Sequence, residues 1–120
     1  MSVAEFAHDE KLALVGLVRL MIRLDGKFST EERELLDDLV ADLGEDSFDT
    51  LSAEANEKMQ DEDAIKYYAE HVTRQAAQEE IYGFLYSLAI PGSIVPAESS
   101  LLTWLEEHWS VGRPKTPYRD

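Results

Sequence analysis

Two segments of the chain match each other without gaps at a separation of 66 positions. Gly26 aligns with Gly92, and Glu32 aligns with Glu98. The apolar positions around them also match, pairing Val18 with Phe84, Ile22 with Leu88, Leu24 with Ile90, Phe28 with Ile94, and Leu35, Leu36 and Leu39 with Leu101, Leu102 and Leu105. A duplicated helical hairpin must keep its turn glycine, its first-turn glutamate and its core positions. We therefore predict two copies of one helix–turn–helix unit.

Apolar residues recur at helical spacing along most of the chain, and no segment alternates for long enough to indicate a strand. Turn and capping residues place six helices, which run from about Ala7 to Leu24, from Ser29 to Gly44, from Asp46 or Ser47 through Met59, from Asp61–Ala64 to a break between His71 and Ala76, from that break to Pro91-Gly92, and from Pro96 through Trp109. The prediction is one all-α domain over residues 1–111, followed by a basic, proline-containing tail over residues 112–120.

The turn of the first copy has the sequence DGKFSTEE. Gly26 can adopt the left-handed backbone conformation that ends many helices. Ser29 and Glu32 fit a capping box, in which the serine oxygen accepts one backbone N–H and the glutamate reaches back to another. Gly92 and Glu98 occupy the same turn and first-turn places in the second copy. These residues are therefore predicted to have structural roles in both hairpins.

The composition restricts the partners that the chain can bind. Its net charge of −14 at pH 7 repels phosphate backbones and anionic lipid surfaces, so we expect neither nucleic acid nor a membrane as partner. A cation or a basic protein is electrostatically favoured. The absence of cysteine excludes disulfides and thiolate chemistry. The first ten residues do not resemble a secretory signal, which favours a cytoplasmic location.

Part of the first turn has the spacing of a calcium-binding EF-hand loop. Asp25, Gly26, Phe28 and Glu32 fall where that loop has an acid, a glycine, an apolar residue and its final glutamate. The two earlier ligand positions are Met21 and Arg23, which supply no oxygen, so an ordinary EF-hand is not expected. Binding of a divalent cation in another geometry, by Asp25 and Glu32 with or without Asp37 or Asp38, stays open. The alternative is that Asp25 helps the turn while Glu32 caps the helix.

The segment RLDGKFSTEERELLDDL resembles the TerB-like, tellurite-resistance-associated fold, whose hairpins carry an Asp-Gly turn, Ser/Thr-x-x-Glu and a leucine-rich helix. The segment AIPGSIVPAESSLLTWL stands where that family repeats the hairpin, and the resemblance covers about residues 10–109. It implies an all-helical, mostly bacterial, cytoplasmic domain of stress-response systems, with acidic turn residues proposed to bind metal. Only Asp25, Glu32 and Glu98 carry over, because Pro91 replaces the second aspartate.

The sequence contains no convincing active site. His8, His71 and His108 lack the spacing of a metal site, and the serines have no visible base partner. We therefore expect no enzymatic activity and no cofactor other than the possible divalent cation.

The aromatic residues give a second kind of candidate site. Tyr82 and Tyr86 lie four positions apart, on one face of a helix, and this face either packs inside the chain or forms an interface. Lys66, Tyr67 and Glu70 are predicted to lie on the outer side of their helix. We therefore expect a non-catalytic protein-interaction module, either monomeric or homodimeric, with a divalent-metal-binding domain as the alternative.

Overall fold

The structure, a computed structural model, describes residues 3–26, 30–89 and 95–111. A short 3₁₀ helix, Val3–Glu5, precedes six α-helices: α1 (His8–Asp25), α2 (Thr30–Leu43), α3 (Glu45–Lys58), α4 (Glu62–Glu70), α5 (Gln75–Ala89) and α6 (Pro96–Trp109). The all-α prediction is confirmed, and the described ranges contain no strand. The predicted tail at residues 112–120 lies outside the described residues.

Helix α1 lies at the centre of the fold. Every residue from Leu12 to Val18 is buried, so all sides of the helix are covered. Helices α3, α4, α5 and α6 all pack against it. The sequence pattern indicated a buried stripe on this helix, whereas the structure buries its whole circumference because four helices surround it.

The internal repeat is visible in the helix boundaries. Helices α2 and α6 each contain 14 residues, and their first and last residues are 66 positions apart. Leu39 and Leu105, which the repeat aligns, are both buried. Leu35 is only half-buried, although its equivalent Leu101 is buried. Helix α6 therefore buries more of its leucine stripe than α2 does, and it packs against α1 and α5.

Most predicted helix boundaries are confirmed. Gly26 ends α1 with φ 73°, a left-handed conformation, and its N–H donates to the Ile22 carbonyl at 3.3 Å. The predicted break between His71 and Ala76 separates α4 from α5. Pro96 is the first residue of α6, where its missing N–H leaves no helical bond unmade.

One predicted boundary is wrong. The third helix begins at Glu45 and has Gly44 as its N-cap, so Asp46 and Ser47 lie inside the helix rather than capping it. Gly44 donates its N–H to the Val40 carbonyl at 2.7 Å, and its carbonyl accepts the Phe48 N–H at 2.8 Å. This one residue therefore ends α2 and begins α3, which leaves no room for a separate cap.

Two polar contacts join distant parts of the chain. The Trp109 indole N–H donates to the Ala69 carbonyl at 3.0 Å inside the core, which fixes the end of α6 against α4. Arg74 donates to both carboxylate oxygens of Glu10, at 2.7 and 2.5 Å, and this carboxylate also accepts the Ala7 N–H at 2.7 Å. The bond from Arg74 lowers the pKa of Glu10, although burial of the carboxyl acts in the opposite direction.

Truncation of the repeat-related leucines should cost more stability at the buried positions than at the half-buried one. Leu39→Ala and Leu105→Ala should each lower the free energy of unfolding by about 2–5 kcal/mol, because each leaves a cavity in the core. Leu35→Ala should lower it less, because Leu35 is half-buried. Urea unfolding curves measure all three variants. Equal losses at Leu35 and Leu39 would contradict the described packing of α2.

The Glu10–Arg74 pair should make stability depend on pH. A carboxyl whose pKa is lowered by folding stabilises the fold above its unfolded pKa, and this contribution is lost as pH falls through the folded pKa. Arg74→Gln should therefore be less stable than the wild type at neutral pH, and the difference should narrow in acid. Urea unfolding at neutral and at acidic pH tests this, with the exposed Arg23→Gln as a control for charge. If the difference in the free energy of unfolding between Arg74→Gln and the wild type did not change with pH, the stabilising role of the Glu10–Arg74 pair would be contradicted.

Candidate functional site

The structure describes part of the Asp25–Glu32 turn. Gly26 ends α1, as predicted, and Glu32 lies in the first turn of α2. Ser29, the predicted cap, lies outside the described residues, as does Gly92 in the second copy, and nothing is described of the Asp25 side chain. The predicted pairing of Asp25 with Glu32 around a cation stays a prediction.

Glu32 and Glu98 occupy equivalent and enclosed positions. Their exposed fractions are 3% and 0%, although most glutamates of this chain are exposed. The Glu98 carboxylate accepts the Val95 N–H at 3.1 Å, which satisfies a backbone donor ahead of the first turn of α6. Glu10 makes the same bond at the start of α1. The geometry of Glu98 therefore supports the capping role that the sequence predicted for the two repeat-related glutamates.

No group of three or more acidic or histidine side chains within metal-binding distance occurs among the described residues. In the same part of the chain, no helix is both long enough and apolar enough to cross a bilayer.

The three tyrosines of the predicted interface have different environments. Tyr82 is 2% exposed and donates a hydrogen bond to the Glu106 carboxylate, so it packs inside the chain and is not accessible to a partner. Tyr86 is half-buried, and its ring stacks on that of Tyr82 with centroids 6.4 Å apart. Tyr67 is 58% exposed. The sequence left open whether the Tyr82–Tyr86 face packs inside the chain or forms an interface. For Tyr82 the structure supports internal packing.

Tyr67 and His71 lie on α4 next to Lys66 and Glu70, which contact Trp104 and His108 of α6. We call this cluster the α4–α6 surface and define it by Lys66, Tyr67, Glu70, His71, Trp104 and His108. The Lys66 ammonium lies 5.0 Å from the centre of the Trp104 ring, a distance typical of cation–π contacts. The His108 ring stacks on the Trp104 ring, with centroids 3.9 Å apart and planes at 24°.

Hydrogen bonds hold both imidazoles of this surface. A ring nitrogen of His108 lies 3.0 Å from the Trp104 carbonyl, and the other nitrogen lies 3.5 Å from the Glu70 carboxylate. His71 bonds in the same way to the Tyr67 carbonyl, at 2.7 Å, and its ring lies 4.5 Å from the Tyr67 ring. The aromatic groups are thus fixed in orientation while Tyr67 stays accessible, which suits contact with a macromolecule.

Sequence reasoning placed Lys66, Tyr67 and Glu70 on the outer side of their helix but did not connect them with α6. The spacing of Trp104 fits the apolar stripe of its helix, which is typical of a core residue, yet Trp104 is only half-buried. Two pairs with a spacing of four residues, Lys66 with Glu70 and Trp104 with His108, were the available signal. That these two pairs contact each other could be known only from the way α4 and α6 pack.

Comparison with known proteins gives no independent assignment. No family model, no curated protein and no solved structure matches the chain. The TerB-like resemblance therefore stays a prediction from the sequence motifs, and the site has to be interpreted from its own geometry.

The two repeat-related glutamates should prove structural. Glu98→Ala should lower the free energy of unfolding by about 1–3 kcal/mol, because the Val95 N–H loses its acceptor in a partly buried place. Glu32→Ala should cause a similar loss, since Glu32 is enclosed at the equivalent position. Unfolding in the presence of EDTA measures both effects, and the exposed Glu107→Ala serves as the control.

A panel of divalent cations distinguishes this role from metal binding. We expect the melting temperature of the wild type to be the same with each cation as with EDTA. A rise in the melting temperature that the double variant Asp25→Asn, Glu32→Gln removes would contradict a purely structural role and would support the divalent-metal alternative.

Proposed function

We propose that this chain is a non-catalytic, TerB-like domain that binds another protein through the α4–α6 surface. The observation that carries the proposal is the exposure of Tyr67. Its side chain is 58% exposed, whereas the other large hydrophobic side chains of the described residues are buried or half-buried. Tyrosine and tryptophan are enriched at protein interfaces, because they bury a large apolar area and still offer a polar group.

The contacts around Tyr67 support docking at this surface. Its ring lies edge-on to Tyr68, with centroids 5.6 Å apart and planes at 89°, and it also contacts His71. Rigid aromatic groups lose little conformational entropy on binding. The half-buried Trp104 lies under Lys66 beside this cluster, so a partner that displaced the lysine would gain a second aromatic contact.

The charge of the chain specifies the chemistry of the partner. Glu70 is part of the surface, Glu62 adjoins it through its ion pair with Lys66, and the net charge of the chain is −14. A partner that presents arginine or lysine beside an apolar contact would complement both the acidic edge and the aromatic rings. We therefore propose a basic protein as the partner. The TerB-like motifs support a bacterial stress-response system as the setting, with the protein in the cytoplasm.

Site-specific photocrosslinking in cells of the source organism tests the proposal. The full chain carries p-benzoylphenylalanine in place of Tyr67, and irradiation should produce one adduct of defined mass because the position contacts the partner. The same substitution at Asp37, an exposed residue of α2, is the control and should give no such adduct. An adduct with twice the mass of the chain would identify a homodimer instead of a basic partner.

Two further measurements make the result specific. Trp104→Ala in the crosslinking chain should reduce the adduct yield, provided that circular dichroism confirms an unchanged helix content. Added salt should reduce it too, because screening weakens attraction between an acidic domain and a basic partner. An absent adduct at position 67, or equal adducts at positions 67 and 37, would contradict docking at the α4–α6 surface.

A further inference from the structure

A cavity of about 480 Å³ opens between α1, the end of α3 and the start of α4. Its volume lies within the range of about 300–1,000 Å³ that is usual for small-molecule sites. It lies on α4 through Ile65, whereas the α4–α6 surface uses the neighbouring residues Lys66 and Tyr67. It is therefore separate from the proposed protein-docking surface.

The floor of the cavity is apolar. Ala55, Met59 and Ile65 form its base and are buried, and the half-buried Ile22 contributes accessible apolar surface beside them. Gly16 on α1 lies directly against the Met59 thioether, and a β-carbon at this position would collide with the sulfur. The absence of a side chain at position 16 thus allows Met59 to lie against the backbone of α1 and to form part of the floor.

The rim of the cavity is cationic. Arg19 and Arg23 lie on consecutive turns of α1 and both line the opening. Arg19 reaches across to α3, where its guanidinium donates to the Ser52 carbonyl at 3.4 Å and to the Asn56 side-chain oxygen at 3.3 Å. These long contacts use two of the five guanidinium N–H donors. Arg23 forms no ion pair with any residue that the structure describes.

The absence of acid from this lining is significant because the chain is strongly acidic. The sequence contains 25 aspartates and glutamates against 11 lysines and arginines. None of the described residues that line the cavity is acidic, and Asn56 and Gln60 add only neutral carboxamides. Two arginines that have no carboxylate partner among the described residues, above an apolar floor, provide the complement of a molecule that has an anionic head and an apolar body.

The geometry points to a binding site for a small organic acid, whose carboxylate contacts Arg19 and Arg23 and whose apolar body lies on Ile22 and Met59. A planar guanidinium binds a carboxylate through two parallel hydrogen bonds, and the Asn56 and Gln60 amides can donate further bonds. Inorganic phosphate would satisfy the arginines but leave the floor without a contact, so an amphipathic carboxylate is the better fit.

Titration of the ¹⁵N-labelled full chain with hexanoate, followed by NMR, tests the site. Hexanoate should cause saturable shifts of the backbone amide signals of Gly16, Arg19, Asn56 and Met59. Hexanamide has the same apolar body without the charge, and inorganic phosphate has the charge without the body, so both should bind at least about tenfold more weakly.

Matched variants separate specific binding from general attraction of anions. Arg19→Gln and Arg23→Gln should each weaken hexanoate binding about tenfold, which is the usual consequence of losing a hydrogen-bonded charge. Both residues are exposed, so the fold should persist. Arg33→Gln makes the same change of charge on α2, outside the cavity, and should leave the affinity within about twofold. Asn56→Trp should block the opening and abolish the shifts.

Several results would overturn the proposal. These are the absence of saturable shifts with hexanoate, equal binding of hexanamide, equal binding of phosphate, unchanged affinity in Arg19→Gln and Arg23→Gln, and equal weakening by Arg33→Gln. None of these outcomes bears on the crosslinking result at Tyr67, so this inference can fail independently of the proposed function.

Discussion

The burial of α1 on all sides is the constraint on which the other helices depend. An apolar helix that is covered around its whole circumference needs several partners, because one neighbouring helix covers only one stripe. Helices α3 and α4 provide one part of this cover, and α5 and α6 provide another. The arrangement also determines where the candidate sites can form, since both lie where helices that pack around α1 meet one another or meet its exposed edge.

A strongly acidic chain must still bury some carboxylates, and this fold places them at helix starts. Glu10 and Glu98 both accept the N–H of the residue three positions earlier, and Glu32 is enclosed at the position equivalent to Glu98. The start of a helix presents unpaired backbone N–H groups and a partial positive charge, which stabilise an anion there. Arg74 gives Glu10 an additional cation. The remaining carboxylates lie mainly on exposed faces, so their mutual repulsion acts mainly at the surface.

Much of the fold could be predicted from the sequence, because its signals are local. Gly26, Pro96 and the break between His71 and Ala76 each mark a helix end through backbone chemistry within a few residues. The start of α3 could not be predicted in this way, because Asp46 and Ser47 are also good caps and only the bond from Phe48 to Gly44 decides between them. The glutamates of the repeat were identified correctly as first-turn residues, but their burial follows from tertiary packing.

The candidate sites were less predictable because they combine helices that are distant in sequence. Tyr67 could be placed on an outer helix face by its spacing, and the structure leaves it exposed. Tyr82 could not be distinguished from an interface residue by periodicity, since its burial depends on the helices around α5. No sequence motif marks Arg19 and Arg23 as a pair. Their relation to Asn56 and Met59 exists only once α3 packs against α1.

The central place of α1 has a consequence for the order in which the protein can assemble. Synthesis begins at the N-terminus, so the residues from Leu12 to Val18 leave the ribosome before every helix that covers them. Helices α3 and α4 pack most extensively on α1, and they belong to neither copy of the repeat. The first hairpin therefore cannot bury its own apolar helix. The unit that is repeated in the sequence is not the unit that folds, and the segment between the two copies completes the first one.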